Sequence, residues 1–155
     1  MKYGRTVEAM VFVKGEEDEE KIKSGLLSLF TYNLEEQKIL IKKEAATGLQ
    51  GNKIFILTVK LEKDRHINTF IRKLFARLDS KQKSLLLEQL SSRIDGEVNF
   101  FVRFGKNKLM DDNILKITDA GNCYHIKIGI AAYPSKKAVG MKIMKRLLDD
   151  GGMEE

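Results

Sequence analysis

Apolar side chains recur along this chain with two periods, and the switches between them mark the elements. Over residues 5–14, Val7, Ala9, Val11 and Val13 alternate with other positions, which predicts a strand with one buried face. Glu16-Glu17-Asp18-Glu19-Glu20 then opens a helix through Phe30 that carries Ile22, Leu26, Leu29 and Phe30 on one stripe. Carboxylates favour the positive end of a helix, so the acidic run predicts a helix start and not a metal site. Residues 37–47 and 53–63 read as strands joined by Gly48-Leu49-Gln50-Gly51-Asn52, where glycine and asparagine tolerate the positive φ of a hairpin connection. The second of these runs is apolar on both faces from Ile54 to Val59, as in a central strand.

Helical spacing returns after Asp64, expected as a cap, with Ile67, Phe70, Ile71, Leu74 and Leu78 inward. A further helix follows Asp79-Ser80 and turns Leu86, Leu87, Leu90 and Ile94 inward. Strands are predicted at 98–105, 113–118 and 123–133. Pro134 stops the last of them, Ser135 caps, and a helix runs to about Leu148 before Gly151-Gly152. The order β-α-β-β-α-α-β-β-β-α clusters adjacent strands. It predicts an α+β fold with a single, largely antiparallel sheet, helices on one face and the other face open.

The length of 155 residues suits one domain, with an ordered core over about 5–149. No apolar run is long enough for a membrane span and no secretory signal opens the chain. One cysteine, Cys123, excludes an internal disulfide framework and a thiolate metal cage, so a cytoplasmic protein without metal or cofactor is expected. The net charge of +6 is unevenly placed: residues 36–77 hold ten basic and four acidic groups, while residues 1–35 hold five and seven. A basic middle attracts polyanions, nucleic acid foremost.

The strand at 98–105 carries the most informative chemistry. Alternation sends Val98, Phe100, Val102 and Phe104 to one face and Asn99, Phe101 and Arg103 to the other. In the last strand Ile126, Ile128 and Ile130 oppose His125, Lys127 and Gly129. With the apolar faces under the helices, Phe101, Arg103, His125 and Lys127 fall on the open face. There a ring stacks bases and cations meet phosphates of single-stranded RNA. Phe101-Val102-Arg103-Phe104 fits the second half of the RNA-recognition-motif signature, but Asn99 and Phe100 break the first half. Basic loops add Lys106-Asn107-Lys108, and Lys42-Lys43 before the glycine turn. The segment 65–77 adds Arg65, Arg72, Lys73 and Arg77. Catalytic signals are sparse. Cys123 and His125 share a strand face at ~7 Å, too far for direct proton transfer, and His66 has no visible partner.

From about Thr6 to Leu148 the sequence resembles the archaeal RNA-binding family designated a predicted exosome subunit. The likeness lies in Gly48-Leu49-Gln50-Gly51-Asn52, in Val102-Arg103-Phe104-Gly105-Lys106, and in Ala132-Tyr133-Pro134 before the last helix. That resemblance implies a fold similar to the ribosomal protein that docks 5S RNA. It also implies a non-catalytic role in archaeal RNA processing or ribosome-related RNA metabolism. Family positions fall on Gly48, Gly51, Asn52, Arg103, Lys106, Tyr133 and Pro134. The chain departs from the family at Leu49, Gln50 and Lys53, where an aromatic or histidine and a proline belong, and at Gly105, where an acid belongs.

The expected RNA contacts are therefore Arg103, Lys106, Lys108 and Lys127 to phosphates and Phe101 as stacking ring. The backbone approaches through Gly48, Gly51 and Asn52. RNA is the expected partner, with exosome or ribosomal components beside it and no membrane. The rival is a protein–protein adaptor or dimer anchored by Phe101 and the strand at Val7 to Val13. A hydrolase built on His66, His125 and Cys123 is the third class.

Overall fold

The computed structural model describes residues 2–48 and 51–150. The strands are β1 (Gly4–Lys14), β2 (Ile41–Thr47), β3 (Lys53–Leu61), β4 (Asn99–Gly105) and β5 (Cys123–Ile130). The helices are α1 (Glu19–Leu27), α2 (Asp64–Ala76), α3 (Ser80–Glu88), α4 (Leu90–Arg93), α5 (Lys106–Asp112) and α6 (Lys137–Asp150). The fold is α+β, with a single open antiparallel sheet in the order β2-β3-β1-β5-β4. β2 and β3 pair from Ile41↔Val59 to Thr47↔Lys53.

Local chemistry explains most element ends. Asp18 caps α1 by accepting from the Lys21 amide at 3.2 Å, and Asp79 caps α3 through the Gln82 amide at 2.8 Å. The acidic run is a helix start: Asp18 caps, Glu19 and Glu20 occupy the first turn, and Glu19 reaches Lys43 at 2.8 Å. Asp64 is not a cap. Lys63 holds that position without a side-chain bond, and Asp64 pairs with Lys2 at 3.2 Å. The strand expected from residue 37 begins at Ile41, because Gln37, Lys38 and Ile39 close turns back to Asn33, Glu35 and Leu34.

Two expectations near the chain's end need correction. Residues 113–118 are no strand: Ile117 forms one bridge with Phe104, and the Thr118 amide donates to the Arg103 carbonyl. The segment is turned away by Asn113, a left-handed C-cap at φ 54° that ends α5. Residues 106–112, expected as a basic loop, form α5 because Leu109 and the Lys106 side chain are both buried. Those are tertiary anchors that a seven-residue polar segment does not advertise.

Contacts within the chain define two compact units. The first comprises residues 1–7, 61–102 and 127–155. Its core gathers Ile67, Phe70, Ile71 and Leu74 of α2, Phe100 and Val102 of β4, Ile128 and Ile130 of β5, and Met144 and Leu147 of α6. Phe75 packs its ring 6.1 Å from Phe100. The second unit comprises residues 8–60 and 103–126. Ala9, Val11 and Val13 of β1 form its core with Ile22 and Leu26 of α1, Leu57 and Val59 of β3, and Tyr124 and Ile126 of β5. The Tyr124 hydroxyl donates to the Ile22 carbonyl at 2.8 Å beneath Gly25, where any Cβ would collide with that hydroxyl. β1 is an inner strand and its valines are core, so Val7, Val11 and Val13 offer no interface anchors.

Candidate nucleic-acid interface

The chemistry of the second unit gathers on the side of β1 and β5 opposite their buried residues. Phe12 alternates with buried Val11 and Val13 and is half-buried, as is His125 between buried Tyr124 and Ile126. Their rings meet edge to face, with centroids 5.8 Å apart and planes at 84°. Arg103 is exposed next to buried Phe104, and its guanidinium makes no hydrogen bond or ion pair among the described residues. Burial, aided by the positive charges of Arg103 and Lys106, holds His125 below the ordinary histidine pKa. The imidazole is therefore neutral at pH 7 and offers both a donor and an acceptor.

Cys123 lies closer to His125 than strand spacing suggests. Its Sγ is 3.6 Å from Nε2, because the two side chains lean toward each other along the strand. Burial raises the thiol pKa against the opposing pull of Arg103 and Lys106. A protonated thiol beside a neutral imidazole is the reverse of an activated thiolate–imidazolium pair. His66 belongs to the first unit, buried in the first turn of α2. Desolvation, followed by Arg65 and Lys63, lowers its pKa. Among the described residues no group of three or more His, Cys, Asp or Glu could hold a metal ion.

Lys106 is placed differently from the sequence expectation. Its side chain is 1% exposed, and its ammonium donates to the Phe12 carbonyl at 2.8 Å and to both Glu17 oxygens at 3.1 and 3.2 Å. It cannot meet phosphate from there; it ties α5 to β1 and to the turn before α1. Glu17 also accepts from the Lys14 amide at 2.9 Å. Burial alone would raise the Glu17 pKa, but that hydrogen bond, then the bond and charge of Lys106, outweigh it and hold the carboxyl low. Lys108, exposed on α5, pairs loosely with Asp112 at 3.7 Å. Such an exposed pair releases its cation at little cost.

The glycine turn contributes to a cleft. The Gly48 amide donates to the Asn52 carbonyl at 2.7 Å, and Gly51 adopts φ +78°, a conformation suited to glycine. Leu49 and Gln50 lie outside the described residues. Gly48, Asn52 and Lys53 line a cleft of about 570 Å³ with Lys14, Glu17 and Asn122. Two carboxamides in one concavity suit base edges, and the ammonium groups of Lys14 and Lys53 stand there beside the carboxylates of Glu16 and Glu17. Phe12, Lys14 and Asn122 escaped the sequence reading. Phe12 could have been found, since Glu8, Met10 and Phe12 alternate with the valines; Lys14 and Asn122 come in only through tertiary contact.

In the first unit, Phe101 of β4 is 39% exposed and Lys127 of neighbouring β5 is exposed, while Phe100, Val102, Ile126 and Ile128 are buried. Asn99 shares the strand parity of Phe101 but is buried, bonded through amide and side chain to Asp95 at 2.9 and 3.3 Å. Tyr133 and Pro134 are exposed, and the peptide bond between them is cis. On α2, Arg65 and Lys73 face solvent and Arg72 is half-buried.

An open antiparallel sheet, a guanidinium without an ion-pair partner among the described residues, a neutral imidazole against a ring, and a cleft lined by lysines, carboxamides and carboxylates match the class of α+β nucleic-acid-binding proteins. The comparisons with known proteins narrow the class. The family model described as RNA binding matches residues 6–131, and the chain belongs to that family. It is 25% identical over 138 residues to the RNA-binding protein PAB1135 of Pyrococcus abyssi, covering 89% of each chain. Among solved structures it is similar to protein AF2318 from Archaeglobus fulgidus, a DUF54 structure, with TM-score 0.82 and 26% identity over 93% of this chain and 99% of that one. It is also similar to the DUF54 protein Mth689 from Methanothermobacter thermautotrophicus, with TM-score 0.73 and 25% identity over 94% and 98%.

Proposed function

We propose that this protein is a non-catalytic RNA-binding module of archaeal RNA processing, working in the cytoplasm beside exosome or ribosomal components. The observation that carries the reading is the Arg103 guanidinium, exposed and without an ion pair among the described residues, in the same unit as the Phe12–His125 ring pair and the Gly48–Asn52 cleft. In this reading Arg103, Lys14 and Lys53 neutralise phosphates, the neutral His125 and the two carboxamides read unpaired base edges, and Gly48 and Gly51 let the backbone come close. Phe101 and Lys127 supply a stacking surface and a cation from the first unit, and Lys108 adds a charge from α5. Lys106 contacts no RNA; with Glu17 it holds the wall of the cleft.

Ultraviolet crosslinking of the protein in lysate, followed by sequencing of the attached RNA and mapping of the modified peptides, tests this assignment. Adducts on peptides containing Phe12, Asn52, Phe101 or His125 are expected. Recovery of no RNA, or adducts confined to other peptides, contradicts it.

A further inference from the structure

Between Asp119 and Asp149 the chain carries six lysines and arginines and not one carboxylate. This stretch holds the most exposed large apolar side chain described, Tyr133, at 96%. Lys136, Lys137, Lys142 and Lys145 follow it, all exposed and without an ion-pair partner among the described residues. On α6, Gly140, Met144, Leu147 and Leu148 face inward, so Lys142 and Lys145 sit on the outer face one turn apart. A ring bare to solvent makes no contribution to the core. Lys136 and Lys137 stand three and four positions after it, and neither forms an ion pair among the described residues.

We propose that Tyr133 with Lys136 and Lys137, extended by Lys142 and Lys145, is a second contact for single-stranded RNA, distinct in sequence and in residues from the Arg103 site. The ring stacks one unpaired base, and the lysines meet the phosphates on either side of it. The inference rests on the RNA-binding reading above and adds to it a base-stacking position and a direction for the strand along α6.

The chain has no tryptophan and four tyrosines, of which Tyr3 and Tyr124 are buried and Tyr32 is half-buried. The part of the tyrosine emission that is lost in Tyr133→Ala therefore reports Tyr133 during titration with a short oligouridylate. The expected result is quenching on binding by the wild type. Tyr133→Ala should bind roughly 5- to 150-fold more weakly, the range for losing one stacked base, with the quenching gone. Tyr133→Phe should bind like wild type, because the ring persists. Lys136→Ala with Lys137→Ala should reduce the slope of log K against log[salt] by about 1.4, two phosphates' worth on a single strand. If Tyr133→Ala binds like wild type while Arg103→Ala is weakened, this contact is overturned and the RNA-binding reading stands. If the wild type shows no salt-sensitive binding, both fall. Because Tyr133 is almost fully exposed, the alanine variant should melt with the wild type.

Discussion

Replacing Lys106 by methionine keeps the unbranched stem of the side chain, one atom shorter, and removes its charge. In the native protein the ammonium is 1% exposed, with the Phe12 carbonyl and the Glu17 carboxylate around it, and Glu17 itself is 27% exposed. In Lys106→Met the Phe12 carbonyl loses its donor, at about 1–2 kcal/mol for an unsatisfied buried acceptor. Glu17 keeps the Lys14 amide and gains water through its exposed edge, so its loss is smaller, ~1 kcal/mol. The sum of roughly 2–3 kcal/mol lowers the melting temperature by roughly 4–12 °C for a chain of this size. Glu17→Gln is the harsher change, because it leaves the ammonium, the drier of the two charges, with neutral acceptors and no counter-charge, at a cost of roughly 3–5 kcal/mol. The double variant removes both charges and should melt no lower than Lys106→Met. Thermal denaturation followed by circular dichroism measures all three. A Lys106→Met melting point within about a degree of wild type, or a Glu17→Gln variant milder than Lys106→Met, refutes the buried-anchor assignment.

Three further outcomes are expected. Gly25→Ala should destabilise by roughly 1–3 kcal/mol, although alanine is the better helix former, because the added methyl overpacks against the Tyr124 hydroxyl; urea unfolding that shows stabilisation contradicts this. Acid should weaken both units. Asp95, held low first by the Asn99 amide, and Glu17 have folded pKa values below their ordinary 3.8 and 4.5. Their stabilisation is complete above those values and is lost as pH falls through the depressed ones. Asp95→Asn should accordingly flatten the acid limb of a stability–pH curve, and an unchanged limb contradicts the assignment. Alkylation of Cys123 by iodoacetamide at pH 7 should be slow in the native protein and rapid in urea, since the thiol is buried and its pKa raised; fast native reaction contradicts this.

How much was legible in the sequence depends on the range of the interactions. The strands at Val7 to Val13 and at Phe100 to Phe104 declare themselves because a period of two is a local property, and the buried and exposed faces of β4 and β5 followed from it. Arg103 and Phe101 are exposed for that same reason. Lys106 is the opposite case. A lysine after a glycine reads as solvated, and the carboxylate that buries it stands 89 positions away in the acidic run before α1. The same nonlocal anchor, with Leu109, makes a helix of a segment whose composition reads as a loop. The span 113–118 had strand-like composition, but after the left-handed turn at Asn113 it meets β4 through a single bridge. The cleft beside Gly48 and Asn52 was legible only in half: the turn residues announce themselves, while Lys14 and Asn122 arrive from distant parts of the chain.

The central claim is that the exposed guanidinium of Arg103, and not the buried ammonium of Lys106, meets the phosphates of a bound strand. Equilibrium binding of oligouridylate between 50 and 200 mM salt, for wild type, Arg103→Ala and Lys106→Met, tests it most directly. The account predicts linear log–log plots whose slope loses about 0.7 in Arg103→Ala and is unchanged in folded Lys106→Met. Equal slopes for wild type and Arg103→Ala, or a loss confined to Lys106→Met, would contradict it.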